Sequence, residues 1–132
     1  MQFTRTVLCI DDDEDDRQMV CEAVGEIDAS IEVIHASRGE EALEYLRKAK
    51  EEQKLPCLIM MDIRMPGMGG RDLILELEKD HVLAKIPRAV FSTFISPIDK
   101  EFFSAHGAET VRKPTDFETL LKVVEDILRK CA

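Results

Sequence analysis

Leu58-Ile59-Met60-Met61-Asp62-Ile63-Arg64-Met65-Pro66-Gly67 is an apolar run that ends on one carboxylate and breaks at once into a turn rich in Pro and Gly. An uninterrupted apolar run of this length reads as a strand of a parallel sheet, covered on both faces. Asp62 then stands at the carboxyl end of a buried strand, the edge where open α/β sheets carry their sites. Taken by itself, Asp62 serves equally well as the first residue of a turn, which Asp favours. The rest of the chain decides between the two.

Moving outward from Asp62, the same pattern returns on both sides. Thr6 to Ile10 reads as a first strand and runs straight into the acidic stretch Asp11 to Asp16. Met19, Val20, Ala23, Val24 and Ile27 follow at helical spacing, and acids suit the start of such a helix because its dipole favours negative charge there. That accounts for Glu14, Asp15 and Asp16, with Asp13 as the cap, but less well for Asp11 and Asp12, which sit against the strand end. Ile31 to Ala36 is a second strand, and a helix from Gly39 turns Ala42, Leu43, Leu46 and Ala49 inward. Beyond the Asp62 turn, Arg71 to Lys79 carries the stripe Leu73, Ile74, Leu77. A fourth strand spans Arg88 to Thr93. Ser96-Pro97-Ile98-Asp99 has the form of a capped helix start. Glu109 to Arg112 is a brief fifth strand, and Thr115-Asp116-Phe117-Glu118 reads as a capping box for a last helix with Leu120, Leu121, Val124, Ile127 and Leu128 inside. Strand followed by helix, five times over, calls for a parallel sheet with helices on both faces and right-handed crossovers.

The chain's 132 residues suffice for one core, and a single domain over 1–132 is expected, with no effector domain after Cys131. The formal net charge of −9 argues against direct DNA binding. No apolar run approaches the roughly 20 residues needed to cross a bilayer, and Met1 to Arg5 carries no secretory pattern. Cys9, Cys21, Cys57 and Cys131 lack metal-ligand spacing, and Cys9 and Cys57 read as buried free thiols suited to a cytoplasmic protein.

Parallel strands share one carboxyl edge. The first delivers Asp11 and Asp12 to it, the third Asp62, the fourth Ser92 with Thr93 beside it, and the fifth Lys113. Charges about 4 Å apart repel by about 4 kcal/mol at an effective dielectric near 20, so such acids need a cation. Oxygen ligands alone suit Mg²⁺ or Mn²⁺. A cation, a free carboxylate, a hydroxyl and a lysine fit phosphoryl transfer, with Asp62 as the nucleophile that becomes an acyl phosphate.

These stretches resemble the receiver domain of two-component response regulators over nearly the whole chain. Val7 to Asp13 is similar to the family's first strand and acidic pair, and Leu58 to Gly70 to its acceptor strand and loop. Ile86-Pro87 through Ser92-Thr93 resembles its switch strand, and Gly107-Ala108 with Lys113-Pro114 its closing motif. The resemblance implies a flavodoxin-like five-stranded sheet of order 2-1-3-4-5. It implies that Asp62 accepts a phosphoryl group from a sensor histidine kinase or a phosphotransfer protein. Asp12, Asp62 and the Arg64 backbone carbonyl would bind Mg²⁺ directly, Asp11 chiefly through water. Ser92, with Thr93, and Lys113 would contact the phosphoryl group, and the Lys113-Pro114 bond would be cis. Output would come through changed protein–protein binding. A weaker likeness, to small regulators paired with bacteriophytochrome-type kinases, admits a homodimer.

The chain departs from the family in two places. Thr110 stands where many receivers carry an aromatic switch residue, and the Gly107-to-Lys113 interval is one residue short; Tyr45, on the second helix, cannot substitute. Arg64 and Phe94, each two residues past a site residue, are bulky and are expected to hinder water and slow acyl-phosphate hydrolysis; the plainer expectation is that Arg64 pairs with an acid and Phe94 packs on the fourth helix. The rival function is an aspartate-based, Mg²⁺-dependent phosphohydrolase. Such enzymes place a second acid two residues after the nucleophile, where this chain has Arg64.

Overall fold

The computed structural model describes residues 5–131. Met1 to Thr4, most of the segment read for a secretory pattern, lie outside them. Five strands, β1 (Arg5–Ile10), β2 (Ile31–Ala36), β3 (Leu58–Met61), β4 (Arg88–Ser92) and β5 (Glu109–Arg112), alternate with five helices. These are α1 (Glu14–Ile27), α2 (Gly39–Glu51), α3 (Gly70–Glu78), α4 (Pro97–Ala105) and α5 (Phe117–Leu128). All strand pairs are parallel, in the expected order β2-β1-β3-β4-β5. A 3-10 turn at Leu83–Lys85, which no periodicity announced, precedes β4.

Alternation along the central strands builds two cores. Leu8, Ile10, Ile59, Met61 and Val90 point to one face, where α2, α3 and Phe103 of α4 cover them. Val7, Cys9, Leu58, Met60, Ala89 and Phe91 point to the other, beneath α1 and α5. Burying each of the Val, Leu, Ile, Met and Phe side chains among them stabilises the fold by about 1.5–3 kcal/mol. A slip of one residue in register would send every one of them to the wrong face. Register therefore also fixes which residue emerges at each strand's carboxyl end. The helices are unequally rooted: α2 buries Gly39, Ala42, Leu43, Leu46 and Ala49, whereas α4 buries only Asp99 and Phe103.

Caps follow the expected chemistry with one correction. Asp13 caps α1 by accepting from Asp16 N at 3.1 Å. Ser96 and Asp99 form a reciprocal capping box on α4 with Pro97 in its first turn. At α5 the cap is Asp116, not Thr115: its carboxylate takes the Thr119 N–H at 2.8 Å and the Thr119 hydroxyl at 2.9 Å. The carboxylate offers a separate oxygen to each donor where a threonine side chain has only one oxygen.

The thiol expectation needs correcting too. Cys57 and Cys131 are disulfide-paired, their Cα atoms 4.9 Å apart across a sequence separation of 74. The chain after α5 returns to the foot of β3, where the Cys131 carbonyl accepts from Arg5 and Cys57 N donates to the Thr6 carbonyl. Cys9 remains a free, buried thiol, and burial pushes its pKa up to about 12. At the same end of the sheet, buried Arg88 donates to the carbonyls of Leu83, Ala84 and Ile86, tying the 3-10 turn to β4. No helix among the described residues is long and apolar enough to cross a membrane.

Candidate functional site

Register brings the acids together. Ile10 lies opposite Met61, so the residues that follow, Asp11 and Asp62, leave neighbouring strands side by side. The ladder continues one step past the strands, with Asp62 N donating to the Ile10 carbonyl at 3.0 Å. Asp11 and Asp62 are buried and Asp12 is exposed. Each of the three offers a carboxylate oxygen, and these oxygens lie within 4.8 Å of one another.

Lys113 answers them from across the sheet. Its backbone N–H donates to the Ser92 carbonyl at 2.9 Å, which fixes the end of β5 against the end of β4. From there its Nζ reaches Asp11 Oδ2 at 2.6 Å, Asp16 Oδ2 at 2.7 Å and Asp62 Oδ2 at 2.9 Å. Burial opposes the ammonium charge, but three carboxylate partners outweigh it and raise the Lys113 pKa above the ordinary lysine range. At Asp11 burial dominates and lifts the carboxyl above its usual range, against the pull of Lys113 and the Asp13 N–H. One ammonium facing four acids leaves the pocket strongly negative, so the donor set fits a divalent cation bound through oxygen.

The loop after β3 shapes the other side of Asp62. Asp62 Oδ1 accepts from Ile63 N at 2.7 Å, while Oδ2 faces Lys113. Gly67 adopts φ +74°, a conformation that L side chains rarely take. At Gly70 a Cβ would stand 2.8 Å from the Asp62 carbonyl oxygen. The missing side chain thus lets α3 begin directly against the strand end that carries the acid.

Not every anticipated residue meets at this pocket. Met61 pairs with Val90, so Ser92 lies one step farther along its strand than the level of Asp62; it is 2% exposed. Thr93 is exposed and lines a separate cleft with Phe94, Ile95, Lys100, Thr110 and Arg112. Thr110 is half-buried there, where an aromatic ring was missed in the sequence. The Lys113-Pro114 bond is not cis; no cis peptide occurs among the described residues. Trans is the lower-energy isomer of an X-Pro bond, and with it Lys113 already reaches all three carboxylates. Arg64 pairs with an acid: Nη2 meets Asp99 Oδ2 at 3.0 Å, and Nη1 donates to the Phe94 carbonyl at 2.9 Å. Phe94 is 63% exposed, its ring 5.5 Å from the Arg64 guanidinium, rather than packed away on α4.

Asp16 is the residue that sequence reasoning missed. It was assigned to the helix start alone, yet it is a partner of Lys113 97 residues away. Its place in the first turn of α1 also suits the helix dipole, so no local signal set it apart from Glu14 and Asp15.

A sequence model of the response regulator receiver domain matches residues 7–125. The chain is 33% identical to the protein PilH of Pseudomonas aeruginosa over 98 residues, covering 74% of this chain and 77% of PilH. It is 32% identical to the probable methanogenesis regulatory protein FilR2 of Methanothrix harundinacea over 91 residues; that match covers 67% of this chain but only 59% of the relative's length. The crystal structure of the phosphorylated cyanobacterial phytochrome response regulator RcpA superposes with a TM-score of 0.85 at 26% identity, covering 95% of this chain and 91% of RcpA. With its sheet order, its acidic strand ends and the crossing lysine, this chain belongs to the response regulator receiver domain family.

Proposed function

We propose that Asp62 is the phosphoacceptor of this receiver and that its donor is the phosphohistidine of a sensor kinase or phosphotransfer protein. The observation that carries the proposal is the pairing of Asp62 Oδ2 with Lys113 Nζ at 2.9 Å inside a cluster of acids that share a 4.8 Å site. In the transfer, an Asp62 carboxylate oxygen forms a bond to phosphorus, the phosphorus–nitrogen bond breaks, and the leaving imidazole nitrogen takes up a proton. Asp12, Asp62 and the Arg64 carbonyl would hold Mg²⁺ or Mn²⁺ directly and Asp11 chiefly through water, and the ion would supply the positive charge that lets phosphoryl oxygens approach these acids. Lys113 neutralises the incoming oxygens by exchanging carboxylate partners for phosphoryl ones. The Ser92 hydroxyl, at the end of the adjoining strand, donates a hydrogen bond to the bound group, with Thr93 next to it.

Output follows as a shift between two conformations that a protein partner tells apart. The β4–α4 segment is the part of the chain best placed to report it, because it begins at Ser92 and contains the lightly anchored α4. The likeness to RcpA, a phytochrome response regulator, favours a phytochrome-type kinase as the donor's source. The phosphohydrolase alternative has no support. The position two residues past Asp62 holds a guanidinium bonded to Asp99 and to a carbonyl, which offers no general acid.

The test is to incubate the protein with acetyl phosphate and Mg²⁺ and to read the intact mass and the site of modification. One base-labile, hydroxylamine-sensitive phosphoryl group on Asp62, absent from Asp62→Asn and from reactions containing EDTA, is expected. Phosphate elsewhere, or none, refutes the assignment.

A further inference from the structure

Asp99 does more than a helix cap requires. It is 5% exposed, and its Oδ2 already accepts from Ser96 N at 3.1 Å within the capping box. Yet two guanidinium groups also converge on it. Arg64 Nη2 lies 3.0 Å from Oδ2, and Arg71 Nη2 lies 3.0 Å from Oδ1. One buried carboxylate needs one cation. Removing the partner of a singly paired buried acid is strongly destabilising, because it strands an uncompensated charge. With two partners, either can leave while the other keeps the acid neutralised.

The two arginines are not equivalent. Arg71 sits in the first turn of α3, with its guanidinium 4.7 Å from the Phe102 ring on α4. Its place is set by two helices. Arg64 belongs to the loop just after Asp62, has a side chain 55% exposed, and lies over a ring that is itself exposed. Arg64 is therefore the partner that can leave. It also spans the two loops that matter, since its backbone follows Asp62 while its side chain binds the Phe94 carbonyl two residues after Ser92. A phosphoryl group on Asp62 replaces a singly charged carboxylate by a group of charge near −2, two residues from Arg64, whose backbone N lies 3.4 Å from Asp62 Oδ1.

We propose that Asp99 is a positioning residue: it parks the Arg64 guanidinium away from the unmodified Asp62 carboxylate and yields it to the phosphoryl oxygens after transfer, while Arg71 keeps Asp99 neutralised. The inference rests on the phosphorylation of Asp62 proposed above. Bound to those oxygens, Arg64 covers the face from which water attacks the acyl phosphate and lengthens its lifetime. The Phe94 carbonyl loses its donor in the same event, so the β4–α4 loop is released from the acceptor loop when Asp62 is charged.

The test is the decay of aspartyl phosphate after the protein has been loaded with acetyl phosphate and Mg²⁺ and separated from the donor. Asp99→Asn keeps the shape of the cap but weakens the parking site, so decay should slow by about threefold to tenfold, the worth of one hydrogen bond. Arg71→Ala leaves Asp99 dependent on Arg64 alone, parks Arg64 more firmly and should speed decay. Arg64→Ala should speed decay as well, and Asp99→Asn should have no effect in the Arg64→Ala background. Two changes that each remove one charge from the cluster but move the lifetime in opposite directions cannot be reconciled with a merely structural role. Equal effects of Asp99→Asn with and without Arg64, or the same direction for Asp99→Asn and Arg71→Ala, would overturn the proposal. A wild-type chain that takes no phosphoryl group would sink the assignment of Asp62 first and this inference with it.

Discussion

Lys113→Met is the sharpest test of how the pocket is held together. Methionine keeps most of the aliphatic stem and deletes the charge. The ammonium is the partner of Asp11, Asp16 and Asp62 at 2.6, 2.7 and 2.9 Å, on a side chain only 11% exposed. Removing one partner from a buried ion pair costs about 3–5 kcal/mol. The acids left behind also repel: at 4.8 Å, the outer limit for Asp11, Asp12 and Asp62, each pair opposes the other by about 3 kcal/mol at an effective dielectric near 20. In EDTA the variant should therefore lose about 3–5 kcal/mol, a fall in Tm of roughly 10–20 °C for a chain of this size. A divalent cation bound by the native state returns stability by mass action, about 2.7 kcal/mol at a hundredfold excess over Kd. Without competition from the ammonium, Mg²⁺ should bind the variant more tightly and raise its Tm more than that of the wild type. Thermal unfolding followed by circular dichroism across a Mg²⁺ titration measures both effects. A variant as stable as wild type in EDTA, or equal Mg²⁺-induced shifts in the two proteins, would refute the reasoning.

Gly70→Ala forces a Cβ to 2.8 Å from the Asp62 carbonyl; it should cost about 1–3 kcal/mol in urea unfolding and slow phosphoryl uptake from acetyl phosphate, because the acceptor strand must shift. Asp116→Ala should cost about 1 kcal/mol and Thr115→Ala close to nothing, a contrast that would reverse if Thr115 were the cap of α5. Burial opposes the ionisation of Asp99, but hydrogen bonds from Ser96 N, Arg71, the Ser96 hydroxyl and Arg64 outweigh it and hold its pKa at about 2, below the ordinary 3.8. A depressed carboxyl stabilises the native state above its unfolded pKa and loses that contribution as pH falls through its folded pKa. Asp99→Asn should thus be less stable than wild type at pH ~6, with the gap narrowing between pH ~4 and ~2; a gap independent of pH would show that the charge is immaterial.

The sheet and most of the acidic pocket were legible because their signals are local. The central strands are short apolar runs, β1, β3 and β4 lead straight into or end on a site residue, and parallel order then gathers those ends without further information. Asp11, Asp12, Asp62 and Lys113 were found that way. What escaped depends on contacts between distant residues. Asp16 looked like one more helix-start acid, because nothing near it mentions a lysine 97 positions on. Cys57 and Cys131 share no motif and meet only because the chain after α5 returns to the foot of β3. Asp99 was legible as a cap but not as the meeting point of Arg64 and Arg71, 35 and 28 residues before it. The Asp116 cap turned on a one-residue choice between adjacent oxygen-bearing side chains, which periodicity does not resolve.

The uneven rooting of the helices has a mechanical corollary. A plate screwed down at many points transmits a push as strain, whereas one held by a single bolt pivots. α2 belongs to the first kind, with a row of side chains sunk beneath it. α4 belongs to the second, since Phe103 is its one wholly submerged apolar anchor and its leading end hangs from the Asp99 cluster. Loosening that end leaves a short lever free to turn about Phe103, while the four remaining helices keep the sheet, and the acids at its rim, in place.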